Sequence, residues 1–158
     1  MSTLLRLIET YVEGPKLLRQ AVGNLAGEQL FARPIAGKMS VLEVVCHIAD
    51  FEPILADRVK RVLTHDRPTL TGADDTLFTA GLAYHKRDIE EELKLIELTR
   101  SQLARILRTV SPEALTRVGV HVDRGEMTLE RLITTANNHI PHHLPFIAEK
   151  KKALGVAG

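Results

Sequence analysis

The sequence has no tryptophan and only four phenylalanines and two tyrosines among its 158 residues, so its core must be built from aliphatic side chains. Its one cysteine, Cys46, cannot form an internal disulfide, which is typical of a protein in a reducing compartment. There is also no excess of charge, because 21 Lys and Arg against 20 Asp and Glu leave a net charge of +1. A chain this close to neutral does not attract a phosphate backbone, so nucleic acid is not an expected partner.

Long apolar runs are missing as well. The first segment, "MSTLLRLIETYVEGPK", is interrupted by acidic residues too early for a signal peptide or a membrane span. We therefore expect no membrane association and a cytoplasmic location. The 44% of hydrophobic residues is enough for one substantial core, and we interpret residues 1–158 as a single domain.

Apolar residues recur at steps of three and four in four segments, which predicts four amphipathic helices. The first covers residues 4–25 and continues through Gly14-Pro15. The second begins at Ser40, where Glu43 three residues later predicts a capping box. The third runs from about Asp88 to Ser111-Pro112, and the fourth begins after Thr128.

The connections complete the predicted fold. The segment "THDRPTLTGADDTLFTAGLAYHK" between the second and third helices is too long for a simple turn, so we expect it to cross the bundle or to cover a site. The segment "RVGVHVDRGEM" alternates valines before an Asp-Arg-Gly turn, which predicts a short hairpin before the fourth helix. The fold class is therefore all-α, a four-helix bundle with one long crossover.

Three histidines lie close together in the fourth helix, within "NNHIPHHLPFI". At 100° per residue, His143 falls near the middle of the apolar face, His139 falls beside it, and His142 points further outward. Two imidazoles four residues apart can share one metal ion. The same spacing also fits a buried histidine that is bonded to a carbonyl group, beside a second histidine that caps a groove.

His47 makes the metal hypothesis stronger, because it lies on the inward side of the second helix with Val44 and Phe51. Three inward histidines from two helices match the composition of catalytic zinc sites, which have three protein ligands and one open position. Neutral imidazoles bind several divalent metals. We expect nickel or zinc, with iron or copper as alternatives.

Together, "GKMSVLEVVCHIADFE" and "TLERLITTANNHIPHHLPFI" resemble the DinB-like, YfiT-type family of metal-binding four-helix bundles. The resemblance implies an up-down-down-up helix order, with the crossover between the second and third helices. It also implies that His47, His139 and His143 are the metal ligands and that His142 is a bystander. The relatives include thiol-dependent transferases, and homodimers are common among them.

Acidic residues near His47 are candidates for supporting roles. Asp50 is a candidate base or an acid that orients a ligand, because an acid near the bundle interior needs a partner. Glu43 has the same options, but we favour its role in the capping box. We expect Glu52 to serve helix packing or a surface ion pair. Cys46 points away from His47, and we expect it to be a small buried residue.

The remaining histidines lie outside the helical faces. We expect His65 and His85 to be solvated, whereas His121 on the hairpin is a candidate for the mouth of the site. Pro141 and Pro145 each deprive a preceding carbonyl of its helical donor. We therefore predict a bent or widened turn over residues 137–145 that sets the approach of the histidine pair to the metal.

These features predict a metal-dependent enzyme that acts on a small molecule, with Asp50 as the tentative base. The resemblance implies that its reaction is hydrolysis or a thiol-dependent transfer. A low-molecular-weight thiol is the partner that the resemblance implies. The alternative from another class is a stress-associated dimeric bundle whose metal serves structure or sensing. A third possibility is a bundle whose metal site has decayed. An open position beside a pocket would favour the enzyme.

Overall fold

Four long helices form the body of the protein in a computed structural model that describes residues 2–156. They are α1 (Thr3–Val22), α3 (Val41–Thr64), α5 (Ile89–Leu107) and α6 (Leu129–Ala153), and two short helices, α2 (Glu28–Phe31) and α4 (Asp75–Gly81), lie in the connections. The helical part of the predicted fold is confirmed. The predicted ends of the first and third helices are too late, because α1 stops at Val22 and α5 stops at Leu107.

Polar side chains fix where these helices begin. Ser40 and Glu43 form the predicted capping box at the start of α3, with both reciprocal hydrogen bonds present. Asp88 and Thr128 accept hydrogen bonds from backbone amides in the first turns of α5 and α6. The caps of α3 and α6 fix where the two helices that carry the histidines begin.

Contacts between the helices give their directions. In α1 and α6, Leu7 bonds to Asn137 and Ala21 bonds to Lys151, so these helices run parallel. Helix α3 runs parallel to α5, because Glu52 bonds to Arg100 and Lys60 bonds to Gln102. It runs antiparallel to α6, because His47 lies beside His143 and Glu52 lies beside His139. The helices therefore run up, down, down and up in chain order.

A small sheet lies against the end of the bundle. Strand β2 (Val118–His121) pairs antiparallel with β3 (Gly125–Thr128), where the sequence predicts a hairpin. Strand β1 (Thr69–Leu70), which lies in the long crossover, adds to β2 in parallel. The structure is thus not purely helical, since a three-stranded sheet ties the crossover to the hairpin.

The core is aliphatic and is filled by two clusters of buried side chains, one toward each end of the bundle. A buried ion pair, Glu52 with Arg100, lies at the level between them. Gly14 of α1 is required here, since a β-carbon at this position would lie 2.3 Å from Nη1 of Arg100. Among residues 2–156, no helix combines the length and apolarity that crossing a membrane requires.

Candidate metal centre

His47 projects from the second turn of α3 and is 6% exposed. The ring of Phe51, one turn further along, packs against its imidazole with ring centroids 4.7 Å apart. The capping box at Ser40 fixes the start of the helix, and the aromatic contact restricts the ring. His47 is therefore a buried and positioned nitrogen donor.

His139 and His143 reach the same point from α6. Nε2 of His139 lies 3.3 Å from Nε2 of His47, and the ring centroids of His139 and His143 are 5.0 Å apart. The centroid of His143 lies 4.8 Å from that of His47. Each of the three residues offers one ligand nitrogen, and these atoms lie within 4.8 Å of one another. The structure thus brings together the three histidines that the sequence singles out.

This arrangement fits a divalent metal ion. With metal–nitrogen bonds of about 2.0–2.1 Å, two ligands of a tetrahedral ion lie about 3.3 Å apart, as the Nε2 atoms of His47 and His139 do. Both residues also have a buried Nδ1 without a hydrogen-bond partner among the described residues. Imidazole nitrogens that face each other in a buried place are satisfied if they share a cation.

The environment keeps two of the imidazoles neutral. Burial lowers the pKa of His47 to about 4, and the neighbouring His139 contributes in the same direction. Burial likewise lowers the pKa of His143 to about 3, with further contributions from His139 and His47. A neutral imidazole is the form that binds a metal, so these side chains are in the ligand state at neutral pH.

Behind His139 lies the buried network of Glu52 and Arg100. Nη2 of Arg100 donates to Oε1 of Glu52 over 2.5 Å, and the two side chains are 1% and 0% exposed. The same Oε1 lies 3.9 Å from Nδ1 of His139, an electrostatic contact that is too long for a hydrogen bond. Burial alone would raise the pKa of Glu52, but His139 and Arg100 bring it below its ordinary value. Glu52 is therefore an anion aimed at the outer nitrogen of a candidate ligand.

Arg100 connects this network to all four long helices. It donates to the backbone carbonyls of Tyr11 and Ala136, over 3.0 Å and 2.8 Å, and its guanidinium lies over the ring of Tyr11. The Tyr11 hydroxyl in turn donates to Oε2 of Glu52 at 3.5 Å. Of the two roles expected for Glu52, packing between helices agrees with these contacts, whereas a surface ion pair is wrong because this carboxylate lies in the centre of the bundle.

Asp50, the tentative base, is engaged elsewhere. Its carboxylate oxygens accept hydrogen bonds from Nη1 and Nη2 of Arg87 over 2.8 Å and 3.2 Å. Asp50 does not line the cavity beside the histidines. Glu43 bonds to Ser40 and Arg33, as a capping residue. The carboxylate next to the triad is that of Glu52, which sequence reasoning missed. A signal was present, because Glu52 lies four residues after Ile48 and three before Leu55, on the buried face of α3.

The other predicted neighbours have less direct roles. His142 is exposed on the outer side of α6, as predicted, and it lines the cavity mouth. His121 also lines the cavity, in agreement with its prediction as a residue near the site. Its Nδ1 accepts a hydrogen bond from the backbone amide of Asp123. His65 and His85 are exposed. Cys46 is fully buried, and burial raises the pKa of its thiol to about 12, which confirms its role as a small core residue.

Helix α6 does not show the predicted widened turn. Its α-helical assignment continues from Leu129 to Ala153 through both Pro141 and Pro145, which are exposed. Water can therefore satisfy the carbonyls that the prolines leave without donors. The central line of the buried face runs through Ile140 and Ile147, so His143 lies toward one edge of this face and not at its middle.

A cavity of about 500 Å³ opens beside the triad. Its walls come from one face of α3, from α6, from the crossover and from the hairpin. Besides the three histidines, the lining residues are Phe51, Leu55 and Arg58 of α3, Ala73 and Asp75 of the crossover, His121, Asp123 and Arg124 of the hairpin, and Thr135 and His142 of α6. The long crossover thus covers part of the site. Its strand pairing with the hairpin could not be seen in the sequence, since two residues carry no periodicity.

Comparison with known proteins supports the same interpretation. The family model of the DinB superfamily matches residues 10–147. A protein of Oceanobacillus iheyensis is 30% identical over 133 residues, which cover 84% of this chain and 77% of the relative. YfiT of Bacillus subtilis is 28% identical over 149 residues, which cover 94% of this chain and 84% of the relative. Both relatives carry the name "putative metal-dependent hydrolase".

The fold also matches a solved structure. YfiT from Bacillus subtilis, described as a four-helix bundle of unusual topology, superposes with a TM-score of 0.90 at 26% identity. The match covers 99% of this chain and 91% of that chain. The two structures therefore share the same overall fold.

Proposed function

Because the chain belongs to the DinB superfamily and brings three histidines together beside a cavity, we propose that it is a metal-dependent hydrolase. The observation that carries this proposal is the convergence of His47, His139 and His143 on one point in the wall of that cavity. Three ligands leave a position of the ion free, and the cavity gives a small molecule access to it.

In this proposal the three histidines bind the metal ion, and Glu52 orients one of them. A divalent ion bound by the three histidines would lower the pKa of water and polarise a substrate carbonyl. Glu52 orients His139 by attracting a proton on Nδ1, so that Nε2 keeps its lone pair for the ion. Phe51 and Leu55 line the cavity with apolar surface, which restricts the access of bulk water to the substrate.

Nickel or zinc is the ion that we propose, since a set of neutral imidazoles suits both. The low pKa values of His47 and His143 support metal binding in general, because no proton has to be displaced at neutral pH. Iron(II) and copper bind the same donor set and are the competing ions in a metal analysis.

Thiol-dependent transfer is the second candidate, because a free position that faces a cavity can accept a thiolate as well as water. The two activities differ in their need for a thiol. An ester or amide that is cleaved without added thiol identifies the hydrolase. A product that contains the thiol, and that forms only when one such as cysteine is present, identifies the transferase. The cavity argues against a purely structural ion, since a closed site would not need it.

Metal content tests the ligand set directly. Wild-type protein purified without chelator should hold about one divalent ion per chain. Single alanine variants of His47, His139 and His143 should lose this ion, whereas His142→Ala, a matched change on the exposed side of α6, should retain it. Full metal content in the His139 and His143 variants would refute the proposed ligands. Activity toward small esters should follow the metal content across the series.

A further inference from the structure

The cavity beside the triad follows one face of α3. His47, Phe51, Leu55 and Arg58 are spaced by four, four and three residues, so they form one line along the helix, and all four line the cavity. The line begins at the candidate metal ligands, continues over an apolar stretch and ends at a guanidinium group. This order makes the two ends of the cavity chemically different.

Arg58 is a buried cation without an acidic partner. Arg58 is 8% exposed, and its Nε and Nη2 donate hydrogen bonds to the backbone carbonyl of Thr71 over 3.2 Å and 2.7 Å. Within residues 2–156, no carboxylate lies at salt-bridge distance from it, whereas the other buried guanidinium, that of Arg100, is paired with Glu52. Nη1 has no protein partner among the described contacts, and it is not one of the buried unpartnered atoms, so it is accessible from the cavity that Arg58 lines. A mostly buried cation with one accessible donor is favourably placed to bind an anion.

The surroundings of Arg58 fit an anion of single charge. Burial lowers the pKa of Arg58, and the cation of Arg124 acts in the same direction. Arg124 lines the same end of the cavity from the hairpin. The charged residues in the lining near it, Asp75, Asp123 and Arg124, are all exposed, so water screens them. The guanidinium of Arg58 is therefore the main buried charge at this end, and with one nitrogen free it is suited to a single carboxylate.

The length of the cavity limits the substrate. Arg58 lies eleven positions after His47 on α3, which puts their Cα atoms about 16 Å apart. His139 lies beside both His47 and Glu52, so the point where the histidines converge is displaced along α3 toward Arg58, and the gap from that point to the long Arg58 side chain is roughly 10 Å. Phe51 and Leu55 fill the wall between the two ends.

From these contacts we propose that the site takes substrates with a carboxylate at one end, which Arg58 binds, and an apolar segment that places the scissile bond at the triad. This inference rests on the proposed hydrolase function and adds its substrate class. Arg58 is a specificity residue, and Arg124 assists it at the mouth.

A pair of esters tests the proposal by activity. The probes are the mono-4-nitrophenyl ester of suberic acid, which has a free carboxylate, and its methyl ester, which is neutral and otherwise matched. In metal-loaded protein, Arg58→Met should lower kcat/KM for the charged ester about 10–100-fold, the loss expected for one charged hydrogen bond, and should leave the neutral ester within about twofold. Water supplies the oxygen of the new carboxylate, and 4-nitrophenol leaves with one of its protons.

Control variants separate recognition from folding. Arg61→Met changes an exposed arginine one turn further along α3, paired with Asp57, and should leave both esters unaffected. Arg58→Lys keeps the charge and should recover part of the preference for the charged ester. Arg124→Gln changes an exposed position, and it should lower the preference for the charged ester by a few-fold.

A binding measurement does not depend on catalysis. Calorimetry with monomethyl suberate and metal-free protein should give an affinity at least about tenfold higher for the wild type than for Arg58→Met. Binding through Arg58 without hydrolysis of either ester would support the carboxylate subsite and refute the hydrolase. Equal affinities in the two proteins, or equal losses of both esters in Arg58→Met, would overturn the subsite.

Discussion

Glu52→Gln tests whether the buried network supports the metal centre. The substitution keeps the size of the side chain but removes its charge, so Arg100 remains as an unpaired cation that is 1% exposed. Breaking one partner of a buried ion pair costs about 3–5 kcal/mol. We expect the lower limit, about 3 kcal/mol, because Arg100 keeps its bonds to the carbonyls of Tyr11 and Ala136.

The same substitution should weaken metal binding. In the wild type, the carboxylate of Glu52 attracts the proton on Nδ1 of His139 across 3.9 Å. Loss of a group that orients a ligand histidine typically lowers metal affinity about 10–100-fold. Glu52→Gln should therefore affect both stability and metal affinity, whereas a variant that only disturbed packing would affect stability alone.

Urea unfolding of the metal-free protein measures the first effect, and competition with a chelator of known affinity measures the second. Glu97→Gln is the matched control, since Glu97 bonds to Arg19 with both side chains 39% exposed. It should cost no more than about 1 kcal/mol and leave metal affinity unchanged. If Glu52→Gln behaved like this control in both assays, the network would have no supporting role.

Three further predictions concern the residues around this network. The free energy of unfolding of metal-free protein should fall as the pH is lowered from about 7.5 to about 3, because the unfolded chain protonates His143 near 6.5 but the folded chain only near 3; urea titrations should show a smaller fall in His143→Gln. Gly14→Ala should cost about 1–3 kcal/mol by displacing Arg100, whereas Gly81→Ala, which meets no atom within 4 Å, should cost nothing in thermal unfolding. Cys46 should resist thiol reagents in the native protein and react only after unfolding, because it is buried and its thiol has a pKa of about 12; rapid native labelling would contradict this.

Local signals in the sequence were sufficient for the helices and for the three histidines. The capping box of Ser40 and Glu43 involves residues three apart, and the pair His139 and His143 involves residues four apart, so a short stretch contains the whole pattern. His47 could be added because helical periodicity placed it on the inward side of α3. The capping box, the histidine pair and the inward side of α3 can be predicted because each depends only on residues that are close in sequence.

The supporting residues depend on partners that are distant in sequence. Glu52 meets Arg100 across 48 positions, and Asp50 meets Arg87 across 37. Both acids belong to the same turn of α3. Helical spacing favours Glu52 for the bundle interior, since it lies four residues after Ile48 and three before Leu55, but it does not indicate the distant partner. The role of each acid depends on the arginine that it contacts, Arg87 for Asp50 and Arg100 for Glu52. Because these partners are distant in sequence, the sequence prediction names Asp50 for the supporting role that Glu52 has in the structure.

The position of the histidines on α6 connects fold to function. Periodicity predicts which face of a helix is buried, but it does not separate the middle of that face from its edge. Ile140 and Ile147 occupy the middle and are fully buried, while His139 and His143 lie at the edge and are only partly buried. Histidines at the middle would be enclosed by core side chains, which suits a structural ion. At the edge they border the cavity, and the accessible position that hydrolysis requires follows from this offset.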